Sequence, residues 1–153
     1  MIRSATIDDL QAAGAVVARF SADIGRVFHV EHFCGFWGAL IDAGYGSIFL
    51  LEQEGVIQGL IGGLATPDPY HGGMVASEAF WWVLPEYRGG IGAGRLYKAF
   101  ETWAVEQCAE EIRMVHLEAS MPERLAKFYE RNGYTLMETH YSKPLQKLER
   151  RAA

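Results

Sequence analysis

The densest run of residues able to do chemistry is Glu78-Ala79-Phe80-Trp81-Trp82-Val83-Leu84-Pro85-Glu86-Tyr87-Arg88-Gly89-Gly90-Ile91-Gly92-Ala93-Gly94-Arg95-Leu96. Four of the six positions 89–94 are glycine, which removes Cβ atoms where backbone must approach a ligand closely or take positive φ. Before them an aromatic, β-branched run stops at Pro85, as a strand would; after them Leu96, Phe100, Trp103 and Ala104 recur at helical spacing. The loop therefore empties into a helix N-terminus, with unpaired N–H groups and a partial positive charge. Such a place binds phosphate. It is not a P-loop, because no Gly-Lys-Ser/Thr follows the glycines, and the lysine and the magnesium-binding hydroxyl are both missing. Nor is it a dinucleotide fingerprint, which would open a βαβ unit with G-x-G-x-x-G, whereas this loop is mid-chain and runs Gly90-Ile91-Gly92-Ala93-Gly94.

A second stretch, Leu125-Ala126-Lys127-Phe128-Tyr129-Glu130-Arg131-Asn132-Gly133-Tyr134, follows about thirty-five residues on. It is good helix chemistry by itself: Pro122 opens the first turn, Glu123 sits near the positive end, and Gly133 supplies a left-handed C-terminal cap. Together the two stretches resemble the signatures of the GNAT superfamily of N-acetyltransferases. The first resembles that family's coenzyme A loop, Val-x-Pro-x-x-Arg/Gln-x-x-Gly-x-Gly/Ala, through Val83, Pro85, Arg88 and Ala93, with Ile91 standing where the family has its first glycine. The second resembles its Tyr-Glu-x-x-Gly-Phe/Tyr helix end, through Tyr129, Glu130, Gly133 and Tyr134. The likeness is sharp over residues 78–134.

The resemblance implies an α+β, three-layer acyl-CoA N-acyltransferase fold: a mixed, mostly antiparallel sheet of six to seven strands, flanked by about four helices and splayed between the central strand and its neighbour. It implies acetyl-CoA as cosubstrate, no metal, a primary amine on a small molecule or protein as acceptor, and a homodimer as a frequent state. In that frame the backbone of Gly89, Gly90, Ile91, Gly92, Ala93 and Gly94 cradles the pyrophosphate, and Arg88 braces the loop or touches a phosphate. The N–H groups of Trp82, Val83 and Leu84 face the thioester oxygen. Tyr129 takes the place of the general acid that protonates the departing sulfur. Glu78 is the candidate base; five residues before Val83, it falls on the opposite pleat unless a bulge intervenes. Its alternative is a strand-start carboxylate in solvent. Trp37, His71 and His116 are substrate-side candidates, the two histidines having plain structural readings as well. Two other functions keep parts of this frame: a coenzyme-binding module without turnover, and an accessory or virion-associated protein that retains the fold.

Composition narrows the alternatives. At 153 residues and 50% hydrophobic, the chain is read as one domain, residues 1–153. A formal charge of −5 without a basic run argues against nucleic acid as a partner. Cys34 and Cys108 are too few for a disulfide scaffold, and Met1-Ile2-Arg3-Ser4 leads into acidic sequence, so a cytoplasmic protein is expected. No apolar run approaches the roughly 18 residues of a membrane span. His29, Glu31 and His32 have no further ligand at suitable spacing, so no metal site is expected there.

The remaining elements must position these groups. Residues 2–6 read as a strand, and Thr6 with Asp8 and Asp9 as a helix start running to about Phe20. Phe33, Trp37, Leu40 and Ile41 mark a second helix over 31–43, and in the resembling family these two helices wall the acceptor site. Residues 47–52 and 56–65 read as a hairpin across Gln53-Glu54-Gly55, and Gly59, Gly62 and Gly63 suggest a bulge in its second strand or the close approach of another group. Thr66 through Gly73 is a loop. Alternation predicts a strand over 112–119, and further strand over 134–141 and near Leu145; the charged end, 147–151, is expected to fray.

Overall fold

The computed structural model describes residues 1–145. Five strands form one sheet in the order β1-β2-β3-β4-β5: β1 Ile2–Ser4, β2 Gly46–Gln53, β3 Val56–Pro67, β4 Met74–Val83 and β5 Glu111–Arg113. The first four are antiparallel neighbours, and β5 lies parallel to β4. Four helices flank them: α1 Leu10–Asp23, α2 Val30–Asp42, α3 Gly92–Glu106 and α4 Pro122–Arg131. This is the expected α+β architecture with a mixed sheet.

Period-two alternation divides the sheet's residues between two cores. Ile48, Leu50, Leu60, Phe80 and Trp82 face Leu10, Val17, Phe33 and Trp37 of α1 and α2. Phe49, Leu51, Ile61, Ala76 and Val83 face Leu96, Phe100, Trp103 and Ala104 of α3. Each fully buried large side chain contributes about 2–3 kcal/mol, which is why these alternating runs fix strand register. Thr6 and Asp9 form a capping box ahead of α1, and Asp9 also receives two hydrogen bonds from Arg3 of β1 (2.7 and 2.8 Å). The β2–β3 turn is carried by Glu54 and Gly55, both at positive φ (52° and 76°), as a tight hairpin turn requires.

The strand count is lower than expected, for a physical reason. Residues 134–145 contain no strand, and β5 ends at Arg113 although alternation continues to 119. A strand needs a ladder partner, and beyond Ser77↔Arg113 the chain leaves β4, so no long edge remains for a sixth strand to join. Leu136, Met137, Tyr141 and Leu145 are accordingly exposed. The expected fraying of 147–151 falls outside the described residues. The parting of β4 and β5 is itself the splay that the fold was expected to contain. No helix among the described residues is long and apolar enough to cross a membrane.

Candidate active site

The glycine loop and the first turn of α3 lie on the surface at the C-terminal end of β4. Gly89 takes φ +94°, a conformation that side chains resist. Ile91 sits at φ −80°, ψ −2° and is 77% exposed, so this position requires no glycine here. The freedom has moved two residues upstream. No side chain caps α3, which leaves its first N–H groups, Gly92 through Gly94, without a protein acceptor. A Cβ at Gly90 or Gly94 would meet nothing within 4 Å, so the loop surface is open at these two positions. The arrangement suits a polyanion. Arg88 acts as the brace: its Nε donates to the Val83 carbonyl (2.8 Å) and its guanidinium lies 4.2 Å over the Trp82 ring. Arg19 of α1 ties the same turn down through a bidentate pair with Glu86 (2.9 and 3.1 Å).

The edge of β4 supplies donors, although not the three expected. The Leu84 N–H donates to Gln58 of β3 (2.9 Å) and is therefore committed within the sheet. Alternation turns the Trp82 N–H the same way, and turns the Trp81 and Val83 N–H groups to the edge that β5 has left. Val83 and Trp81 are thus the free donors, in place of Trp82 and Leu84.

The pairing of Gly62 with Phe80 and of Gly63 with Glu78 leaves Ala79 as an extra residue on β4. This bulge flips the pleat, so Glu78 shares the α3 face with Val83 despite the odd spacing. Gly62 and Gly63 permit it: a Cβ on Gly62 would run into the Phe80 ring, and one on Gly63 into the Phe100 ring and the Ser77 carbonyl. Glu78 is 8% exposed, which removes the reading of it as a solvent-facing carboxylate. Burial pushes its carboxyl up to about 7, against a smaller opposite effect from the Val115 N–H, which donates to Oε2 (3.1 Å). Tyr129 grips the same residue from the other side, its hydroxyl donating to the Val115 carbonyl (2.7 Å). Burial, then the nearby Glu78, then Tyr134, hold that phenol well above its ordinary value, so it keeps its proton.

Where β5 stops, two side chains thus replace strand ladder partners. They hold Val115 by its N–H and its carbonyl, beyond the last ladder pair of β4 and β5. Val115 is invisible to sequence reading, because the groups that matter are those every peptide has. Around it, Trp81, Tyr97, Phe128 and Tyr134 form an aromatic cluster with ring centroids 5.0–6.4 Å apart. Gly133, at φ +86°, ends α4 as expected and returns the chain so that the Tyr134 N–H meets the Tyr129 carbonyl (3.0 Å).

The other candidates fall in different places. His116 is half-buried and follows Val115 directly. Trp37 is buried on the α1/α2 face against Phe80 (5.1 Å, edge-on) and lines a cavity of about 240 Å³. His71 is not brought to Glu78 and Tyr129. It lies in the loop before Met74, at the opposite end of β4 from the glycines, with its Nδ1 accepting from the Gly73 N–H (3.1 Å). There Asp68 shapes the turn, accepting from the Tyr70 N–H (2.8 Å) and from Arg113 (2.9 Å). A larger groove of about 510 Å³ runs between β1 and α3, at the far edge of the sheet from this site. No cluster of three or more metal-ligating side chains occurs among the described residues.

A parted pair of parallel strands, a bulged central strand and an uncapped helix behind a glycine loop are the features that the resemblance implies for an acyl-coenzyme A transferase site. The sequence profile of the acetyltransferase (GNAT) family matches residues 17–134, and the chain belongs to that family. No characterised protein matches the chain at the level of sequence. Solved structures match it in fold. A predicted acetyltransferase with acetyl-CoA from Clostridium acetobutylicum gives a TM-score of 0.78 at 14% identity, over 94% of this chain and 95% of that one. The aminoglycoside acetyltransferase AAC(6')-Iy, in complex with the bisubstrate analogue CoA-S-monomethyl-acetylneamine, gives 0.77 at 15%, over 95% and 97%. A ribosomal-protein-alanine N-acetyltransferase from Brucella melitensis biovar Abortus gives 0.73 at 16%, over 95% and 99%.

Proposed function

We propose that this chain transfers the acetyl group of acetyl-CoA to a primary amine by direct attack. The observation that carries the reading is the placement of Glu78 and Tyr129 on either side of one residue, Val115, where β4 loses its parallel partner and turns the N–H groups of Trp81 and Val83 to an unpaired edge. The pyrophosphate of the coenzyme binds the amides of Gly89 to Gly94, and its acyl arm runs along the open edge of β4. An amine of pKa about 10.4 is almost wholly protonated at neutral pH, so it must lose a proton before attack. Glu78, titrating at about 7, takes that proton directly or through water. The amine nitrogen then bonds to the thioester carbonyl carbon, and the negative oxygen is held by the strand amides, each such donor contributing about 3 kcal/mol. Collapse breaks the carbon–sulfur bond; the Tyr129 hydroxyl protonates the leaving thiolate, and the second nitrogen proton, lost as the amide forms, restores the phenol through solvent.

Calorimetric titration of acetyl-CoA into the wild type and into Gly94→Glu tests the first requirement. This substitution places a negative charge in the first turn of α3 without a clash, whereas a side chain at Gly92 would strike Leu51. Binding in the micromolar range, weakened at least tenfold in the variant, is the expected result. Absence of binding to the wild type, or equal binding to both, would sink the proposal.

A further inference from the structure

Tyr129 reaches Val115 from a helix with few polar attachments, and it is the one buried residue of α4. Beyond the Met121 carbonyl that starts the helix, residues 122–145 make two hydrogen bonds to the rest of the chain among the described residues. One runs from the Tyr129 hydroxyl to the Val115 carbonyl (2.7 Å), the other joins the hydroxyls of Tyr134 and Tyr97 (3.2 Å). The second continues further. Tyr97, on α3, is 4% exposed, and its oxygen lies 2.5 Å from Glu101 Oε1, one turn along the same helix. Lys98 Nζ pairs with the other carboxylate oxygen (3.1 Å). A carboxylate only accepts, so Tyr97 gives its single proton to Glu101, and its oxygen accepts from the Tyr134 hydroxyl. We infer that Tyr97 and Glu101 are positioning residues: with Tyr134 they clamp the end of α4 to α3 and so set where the Tyr129 hydroxyl stands. The use of that hydroxyl as an acid rests on the acetyl-transfer reading above.

Short distances join the clamp to Tyr129. The Tyr134 N–H donates to the Tyr129 carbonyl (3.0 Å) and the two rings lie 5.7 Å apart, so Tyr134 and Tyr129 move as one unit. Ring packing alone does not fix this unit. Phe128 meets Tyr97 edge-on (5.0 Å) and Trp81 at a tilt (5.5 Å), but apolar burial is non-directional and allows a helix to turn on its contacts. Hydrogen bonds of set length select one orientation. A phenylalanine at position 97 would fill the same space, whereas a buried hydroxyl is costly unless bonded, so the Tyr97 oxygen adds direction to the core. Its helix is also the one behind the glycine loop: Gly94 lies one turn before Tyr97. The clamp therefore refers Tyr129 to the helix that would hold the coenzyme.

The test reads the Tyr129 hydroxyl directly. The protein is labelled with a carbon isotope at tyrosine Cζ, whose NMR shift follows the surroundings of the hydroxyl, and the Tyr129 resonance is assigned by its loss in Tyr129→Phe. Tyr97→Phe, Glu101→Ala and Glu101→Gln are then compared. Tyr97→Phe keeps the ring and Glu101 is partly exposed, so all three should fold. The Tyr129 resonance is expected to move toward that of Tyr70, which is 95% exposed, in Tyr97→Phe and Glu101→Ala, and to stay in place in Glu101→Gln, which still accepts from Tyr97. Calorimetric affinity for acetyl-CoA should stay within about threefold of wild type in all three, since the loop amides are untouched. An unmoved Tyr129 in Tyr97→Phe, or equal movement in Glu101→Ala and Glu101→Gln, would overturn the inference, and normal acetyl-CoA binding beside it would leave the acetyl-transfer reading standing. The expected movements in a protein that binds no acetyl-CoA would support the clamp and overturn that reading instead.

Discussion

At the scale of residues, the site depends on two side chains whose ionisation is set by burial. Tyr129 is held protonated by its surroundings and already spends its hydroxyl hydrogen on the Val115 carbonyl. A general acid must keep a proton until the thiolate forms, and a phenol held this high meets that requirement, as the proposed role of Tyr129 needs. Tyr129→Phe removes the proton without removing the ring. We expect kcat to fall by about 100-fold with the KM for acetyl-CoA little changed. Stability should fall by about 1 kcal/mol, because the Val115 carbonyl loses its partner. Single-turnover kinetics and a urea melt check the two parts, and an unchanged kcat would remove Tyr129 from the mechanism. Both motif residues, Tyr129 and the loop glycines, were legible because the family resemblance is carried by side-chain identity and spacing. The Trp81 and Val83 donors were not, because strand pairing alone decides which amides face the open edge.

At the scale of elements, the bulge in β4 is the device that brings Glu78, the proposed base, to the face it shares with Val83. Glycines 62 and 63 signalled it in sequence, but only the register shows that Ala79 is the extra residue. That one residue corrects the parity between Glu78 and Val83. Gly63→Ala would push a Cβ to 2.5 Å from both the Phe100 ring and the Ser77 carbonyl oxygen. Backbone cannot yield as a flexible side chain can, so a cost of about 1–3 kcal/mol is expected. The bulge itself should shift, and with it Glu78. A urea midpoint together with the acetylation rate tests this: a variant of wild-type stability and rate would show that the bulge does not depend on the glycine. Residues 112–119 illustrate the converse. Their alternation is real, but an ion-capable side chain and a phenol hold Val115 where a strand would have been, and periodicity does not reveal the absence of a ladder partner.

At the scale of the whole molecule, the buried carboxyl of Glu78, the proposed base, is a cost to folding once it ionises. The Glu78 carboxyl rises from the ordinary value of 4.5 to about 7, so the folded chain binds this proton more tightly than the unfolded chain. Its stability contribution is therefore fullest below about pH 4.5 and declines as pH rises through 7, where the buried group must ionise. The loss amounts to about 3 kcal/mol. Glu78→Gln keeps an acceptor for the Val115 N–H and removes the ionisation. We expect the variant to match the wild type at pH 5, to exceed it by up to that amount at pH 8, and to lose the rise in rate with pH that a base titrating near 7 produces. Urea midpoints at the two pH values decide it, and an equal offset at both would mean that ionisation of Glu78 is not the cause.

Local chemistry determined much of this protein directly. Helical spacing marked α2 and α3, capping chemistry marked α1 and α4, and turn residues marked the hairpin. The glycines and the Pro122 and Gly133 punctuation marked the ends of elements. The order of the two motifs marked the family, because each of these depends on neighbours within about ten residues. Tertiary structure decided what distance along the chain hides: that Glu78 and Val83 share a face, that 37 and 14 residues away from Val115 two side chains take hold of its peptide groups, and that five strands suffice among the described residues. It also decided that rings from α2 and β4 close into one cavity. Packing brings these groups together, and packing is a property of pairs of elements that no single stretch of sequence contains.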